Sequence, residues 1–171
     1  MPSKDRSAIR VGIPKVLNIW STHQFWIGFL TALGIRLDNI VFSSDTSEEQ
    51  FREFGKGRGT VDCCYPVKCI SGHYGQLLFG QRKKIDILLS PMIYSLPSFL
   101  RGHVTDTLAC PRVMAAPENI KAGFMREGDS FAENGVSRFC KLLKTFKKAA
   151  SYIIRALCNT KNWLQSIALD V

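Results

Sequence analysis

Short apolar runs and longer stretches of helical period alternate along the chain. Residues 10–13 and 40–42 read as brief strands, and the run Ile85-Asp86-Ile87-Leu88-Leu89-Ser90 reads as a buried strand carrying one charge near its start. Between the first two, Phe25, Trp26, Phe29, Leu30 and Leu33 recur on one face of a helix. The capping box Ser21-x-x-Gln24 is expected to open that helix, and Gly34 to close it as the residue just past its end. Thr46-x-x-Glu49 is expected to cap a short helix ending before Gly55. Pro66 suits the first turn of a helix, where its missing N–H removes no bond, and predicts a helix through Leu77, Leu78 and Phe79. Thr107-Leu108-Ala109 leads into Cys110-Pro111 as a further strand end, followed by a helix over 117–125. Strands alternating with helices predict an α/β fold with a parallel sheet, a Rossmann- or flavodoxin-like three-layer domain.

The pattern changes near residue 138. Phe139, Leu142, Leu143, Phe146, Ala150, Ile153, Ile154 and Leu157 form an apolar stripe, with lysines mostly off it. Residues 1–137 carry a net charge of +3 and residues 138–171 a net +6, out of a total of +9. The expectation is a domain over 1–137 and a C-terminal basic helix over 138–171. Such a helix docks on its own domain, on a membrane surface or on an acidic partner. No nucleic-acid recognition motif accompanies the charge, so nucleic acid is not expected as a partner. Composition at 46% hydrophobic and 11% aromatic is that of a globular protein rather than a disordered one. The polar N-terminus predicts no secretory signal, no run approaches a membrane span, and the free-looking cysteines suit a reducing cytoplasm.

The chemistry-bearing groups concentrate in one place. Cys63, Cys64, Cys69 and His73 fall within eleven residues. Cys64 sits at the mouth of the helix that Pro66 opens, where unpaired N–H groups and the helix dipole favour an anion. Cys64, Met92 and Cys110 each lie at an expected strand or helix end, and the carboxyl ends of parallel strands line one crevice. A buried cysteine is also simply a small hydrophobe. Lys68, in the first turn after Cys64, is a candidate for holding a phosphate or the thiolate, or else a solvated lysine. His73 is a candidate proton donor or acyl-CoA contact, or else a hydrogen-bonded structural histidine; His23 and His103 carry no ligand spacing. The stretch Gly55-Lys56-Gly57-Arg58-Gly59 lacks the phosphate-loop arrangement and reads as a basic loop.

Val11-Gly12-Ile13-Pro14-Lys15-Val16-Leu17-Asn18, Phe25-Trp26, Leu33-Gly34, Cys64-Tyr65-Pro66-Val67-Lys68 with Gly72-His73, Cys110-Pro111 and Phe131-Ala132-Glu133-Asn134-Gly135 occur in one order. This series resembles the uncharacterised domain of acyl-CoA dehydratase activase-related proteins, kin of 2-hydroxyglutaryl-CoA dehydratase and benzoyl-CoA reductase subunits, over residues 9–136. The resemblance implies an α/β domain with a [4Fe-4S] cluster, in a system where an ATP-driven activator supplies a low-potential electron. It implies Cys64 and Cys110 as cluster ligands. Met92 stands where the family has a third cysteine, and a thioether supplies no negative charge, so Cys63 or Met92 itself would have to complete the set. Other dehydratase or activase subunits, and an acyl-CoA, are the implied partners. At 171 residues the chain is at most one component of such a lyase or reductase. Two other readings stay open: an interaction domain that has lost the cluster, and a thiol-based metal carrier or regulator.

Overall fold

The computed structural model describes residues 5–59, 64–95, 108–126 and 128–140, with 138–140 by backbone alone. Four strands form one sheet: β1 (Val11–Ile13), β2 (Ile40–Phe42), β3 (Ile87–Leu89) and β4 (Arg138–Cys140). Their order is β2-β1-β3-β4 and every pairing is parallel, with Gly12 opposite both Val41 and Leu88. This is the flavodoxin-like order, in which strand order reverses between β1 and β3. The helices are α1 (Asn18–Ala32), α2 (Glu48–Gln50), α3 (Tyr65–Phe79), α4 (Pro111–Phe124) and α5 (Ser130–Glu133), and a π-helical turn over Phe51–Gly55 continues α2.

Alternation along the strands sorts the core into two layers, because successive side chains point to opposite faces. Val11, Ile13 and Leu89 pack with Ile19, Trp26 and Leu30 of α1. Leu88 packs on the other face with Leu77 of α3, Ile120 and Phe124 of α4, and Phe131 of α5. The sheet therefore lies between α1 and the α3–α4 layer, and the three-layer expectation holds. Gly12 faces α3, where a Cβ would stand 2.6 Å from Ile85 Cδ1. Asp86, the one charge in the third apolar run, is used: its carboxylate accepts from the Arg10 N–H at 2.9 Å and its carbonyl from the Ser137 N–H at 2.8 Å.

The boundaries differ from the pattern in five places. First, α1 starts at Asn18, not at the Ser21 capping box; Ser21 and Thr22 donate back to the Asn18 carbonyl at 3.1 and 2.8 Å. Burial of Ile19 pulls the helix start forward, and Leu17 flanks it at φ 52°, in a region that favours glycine. Second, α2 is capped by Ser47, whose hydroxyl accepts from the Gln50 N–H at 3.1 Å, while Thr46 turns to His73. Third, Leu108 joins no sheet strand; it forms an isolated antiparallel bridge with Ser95. Fourth, α4 begins at Pro111 and carries Pro117 inside it, so the expected start at 117 is six residues late. Fifth, Arg138–Cys140 is a strand paired to β3, so Phe139 does not begin a helical stripe. Beyond Cys140 the expected basic helix lies outside the described residues.

Gly72 and Gly75 bring α3 against the turn over 51–55. A Cβ on Gly72 would lie 2.9 Å from Phe51 Cα, and one on Gly75 would overlap the Phe54 carbonyl. Helix propensity favours alanine over glycine by about 1 kcal/mol, whereas overpacking against backbone costs about 1–3. Gly75→Ala should therefore destabilise despite its helical position. Gly28, on the open side of α1 with nothing within 4 Å, should gain about 0.5–1 kcal/mol on the same change. Chemical denaturation of both variants checks the pair, and equal signs would mean that α3 does not meet the turn as described.

Trp26 is 5% exposed, whereas Phe29 is only half-buried. Trp26→Ala should cost about 3–5 kcal/mol and Phe29→Ala clearly less, read from denaturant midpoints at unchanged slope.

Candidate functional site

Helices that join parallel strands run back against them, so α3 and α4 begin at the carboxyl end of the sheet. Each begins with a cysteine. Cys64 flanks α3 at φ −57°, ψ 150° and Cys110 flanks α4 at φ −55°, ψ 134°. The Cys64 carbonyl accepts from Val67 and Lys68 at 3.0 and 3.1 Å, and the Cys110 carbonyl from Val113 and Met114 at 2.9 and 3.0 Å. A proline enters the first turn of both helices, and neither thiol makes a capping hydrogen bond. The two sites are local copies, and both cysteines are exposed. First-turn N–H groups there favour an anionic group or ligand.

The other candidates divide. Met92 is half-buried, two residues past the buried Ser90 at the end of β3. Lys68 is exposed one turn into α3. Cys69, also on α3, is 1% exposed, and burial pushes its thiol up, away from the thiolate. Cys63 and His103 lie outside the described residues. Among the described residues no three of His, Cys, Asp and Glu come together as a metal site. Among the described residues Cys64 and Cys110 offer two exposed thiols, whereas iron–sulfur clusters are normally held by four thiolates.

His73 is fully enclosed, 0% exposed. Ser43 Oγ lies 2.7 Å from Nδ1 and Thr46 Oγ1 2.9 Å from Nε2, so a neutral ring, one nitrogen donating and the other accepting, satisfies both hydroxyls. Ser43 Oγ also accepts from the Lys15 N–H at 2.8 Å, which ties the end of β1 to the end of β2 and to α3. Gln50 Nε2 donates to Gln76 Oε1 at 2.9 Å and closes the same network. Burial lowers the pKa of His73 to about 4.

At the reversal of strand order a small crevice opens, about 30 Å³, lined by Pro14, Leu17, Tyr74, Ser90, Pro91 and Pro117 among others. That is room for one or two waters, not for a cofactor. Within it the hydroxyls of Tyr74 and Ser90 hydrogen-bond, and burial pushes the Tyr74 phenol far above its usual value. Sequence reading missed the Tyr74–Ser90 pair and the Ser43–Thr46–Gln50 ring around His73. Polar residues standing at the ends of apolar runs, Ser43 after β2 and Ser90 after β3, were the available signal.

A flavodoxin-like sheet with two helices that each start at a cysteine at its carboxyl end is the frame on which the motif series sits. The chain belongs to the family described as CoA enzyme activase uncharacterised domain, whose model matches residues 10–167. The match continues through the segment from 138 that the motif series alone leaves outside. No curated protein and no solved structure matches the chain. Among the described residues, no helix is long and apolar enough to cross a membrane.

The enclosure of His73 sets a pH dependence. Above pH 6.5 the ring is neutral folded and unfolded; between about 6.5 and 4 the unfolded chain binds a proton that the folded chain does not. Stability should therefore fall as pH drops through that window, by up to roughly 3 kcal/mol from this group. His73→Gln should flatten the slope in urea titrations run from pH 7 to pH 4. Parallel profiles for the two proteins would mean that the ring titrates normally and is not enclosed.

Proposed function

We propose that the chain is an iron–sulfur, electron-transfer component of a 2-hydroxyacyl-CoA dehydratase-like system, presenting Cys64 and Cys110 as two ligands of a [4Fe-4S] cluster. The observation that carries this is the duplication: two exposed, uncapped cysteines in matching backbone conformation at the mouths of neighbouring helices. Exposure leaves the outer side of the pair open to ligands from Cys63 or from another dehydratase or activase subunit. When bound, a cluster would supply one-electron transfer at low potential. This chain's own residues would present two thiols at the starts of neighbouring helices, with first-turn N–H groups that favour negative charge and Lys68 one turn further along α3. The cytoplasm is the compartment in which such thiols stay reduced.

A second reading, an interaction domain without a cluster, is favoured by Met92 and by the lack of a third ligand among the described residues. Met92→Cys separates the two. Reconstituted anaerobically with iron and sulfide, the variant should gain a brown chromophore and about four irons per site. Cys64→Ser or Cys110→Ser in that background should abolish both signals, and Cys140→Ser or Cys158→Ser should not. No iron in Met92→Cys would favour the interaction domain; metal without sulfide would favour a thiol-based carrier.

A further inference from the structure

At the opposite end of the sheet α3 and α4 terminate, and their last turns meet the loop after the π-helical turn. Phe79 stacks on Phe124 with ring centroids 6.2 Å apart. The Arg58 guanidinium lies 4.6 Å from the centroid of Phe79 and 5.7 Å from that of Phe124, and one of its N–H groups donates to the Phe54 carbonyl at 2.9 Å. Arg126 donates to the Gly57 carbonyl at 3.3 Å, fastening the loop to the end of α4. Two large apolar side chains stay open here, Phe79 at 40% and Met125 at 42% exposure. Exposed Lys56, Arg82 and Lys83 stand on the adjoining turns. Exposed Glu53 stands on the π-helical turn and exposed Asp129 beyond the end of α4, two acids against those three cations and Arg58.

A solvated basic face needs neither open aromatic and thioether side chains at its centre nor an arginine clamped onto rings. Those are the marks of a protein interface, whose core is enriched in aromatic residues, Met and Arg and whose rim is polar. A membrane-binding surface would instead set its apolar groups in one stripe along a helix. Here they come from the ends of two helices, with the cations around them. We infer that this end of the domain docks an acidic protein segment carrying one or two apolar side chains, which cover Phe79 and Met125 while its carboxylates meet Arg58, Arg82 and Lys83. Arg58 is held in place before binding, so little side-chain order remains to be lost when a carboxylate arrives. This reading does not depend on the cluster.

The test uses the full chain and the synthetic peptide Asp-Glu-Leu-Glu-Asp-Phe-Glu-Asp, with binding followed by calorimetry and mapped by amide exchange. The peptide should protect the ends of α3 and α4. Replacing its acids by Asn and Gln should weaken binding at least about tenfold, and Arg82→Glu/Lys83→Glu should do the same. Met125→Ser, or Ser for the peptide's Leu and Phe, should each weaken it about threefold or more. Thermal unfolding confirms that the variants fold. The proposal falls if the charge-reversed protein binds unchanged, since the contact then lies elsewhere on this basic chain. It falls equally if the apolar changes have no effect, which would leave only a non-specific cationic patch. Phosphatidylserine vesicles or duplex DNA binding more tightly than the peptide, with the same dependence on Arg82 and Lys83, would assign the surface to another class of partner.

Discussion

Helix α3 is pressed between two layers, and the rest of the structure follows from how closely it can be approached. Ten of its fifteen residues are buried, far more than one stripe facing a sheet would give. Its inner side meets the sheet through Leu77 and Tyr74, and its outer side meets the turn over 51–55 through Gly72 and Gly75. Gly55 completes the contact from the other side, where a Cβ would come 2.5 Å from the Gly72 N. A side chain at these positions would lift the turn away, expose His73 and release the hydroxyls that enclose it. The same helix carries Cys64 at its mouth and Phe79 at its end, so one packing constraint positions both candidate surfaces.

The features legible in the sequence are those with a local cause. Pro66 and Pro111 each enter the first turn of a helix, and the cysteines before them mark the helix mouths. Gly34 takes φ +91° and closes α1 as its position implied. What stayed hidden depends on tertiary context. Asn18 begins α1 because Ile19 has a place in the core, and the capping box three residues later is overridden. Pro117 looked like a helix start, yet it sits inside α4 with its ring against the crevice, where a missing N–H is tolerated in exchange for apolar contact. Gly-His at 72–73 left His73 open between a proton donor or acyl-CoA contact and a structural histidine, because spacing alone cannot show that the glycine admits a neighbouring backbone and that both imidazole nitrogens already have partners.

The candidate site was legible in its residue types and not in its completeness. Cys64 and Cys110 stand as equivalents because two successive crossovers of a parallel sheet use the same kind of helix start. Met92 breaks the series: it follows the same strand-end logic, but a neutral thioether lacks the charge that stabilises iron–sulfide units. Two exposed thiols, with no group of three His, Cys, Asp or Glu among the described residues, leave the ligand set incomplete. The small crevice at the β1–β3 reversal does not substitute for it, since at about 30 Å³ it has room for no more than one or two waters.

Both ends of the α3–α4 layer obey one electrostatic rule. The amino ends present unpaired N–H groups and favour anionic partners, whereas the carboxyl ends present carbonyls and gather cations such as Lys121 in the last turn of α4. The opposite ends of one domain thus acquire different chemistry without any change of fold: cysteines where negative charge is welcome, arginines and lysines where it must be offset. With fifteen residues at 1.5 Å each, α3 separates the two by about 22 Å. A segment docked over Phe79 and Met125 therefore leaves Cys64 uncovered. Occupation of one end need not compete with occupation of the other, so a partner held at the basic end would leave the thiols open to a second.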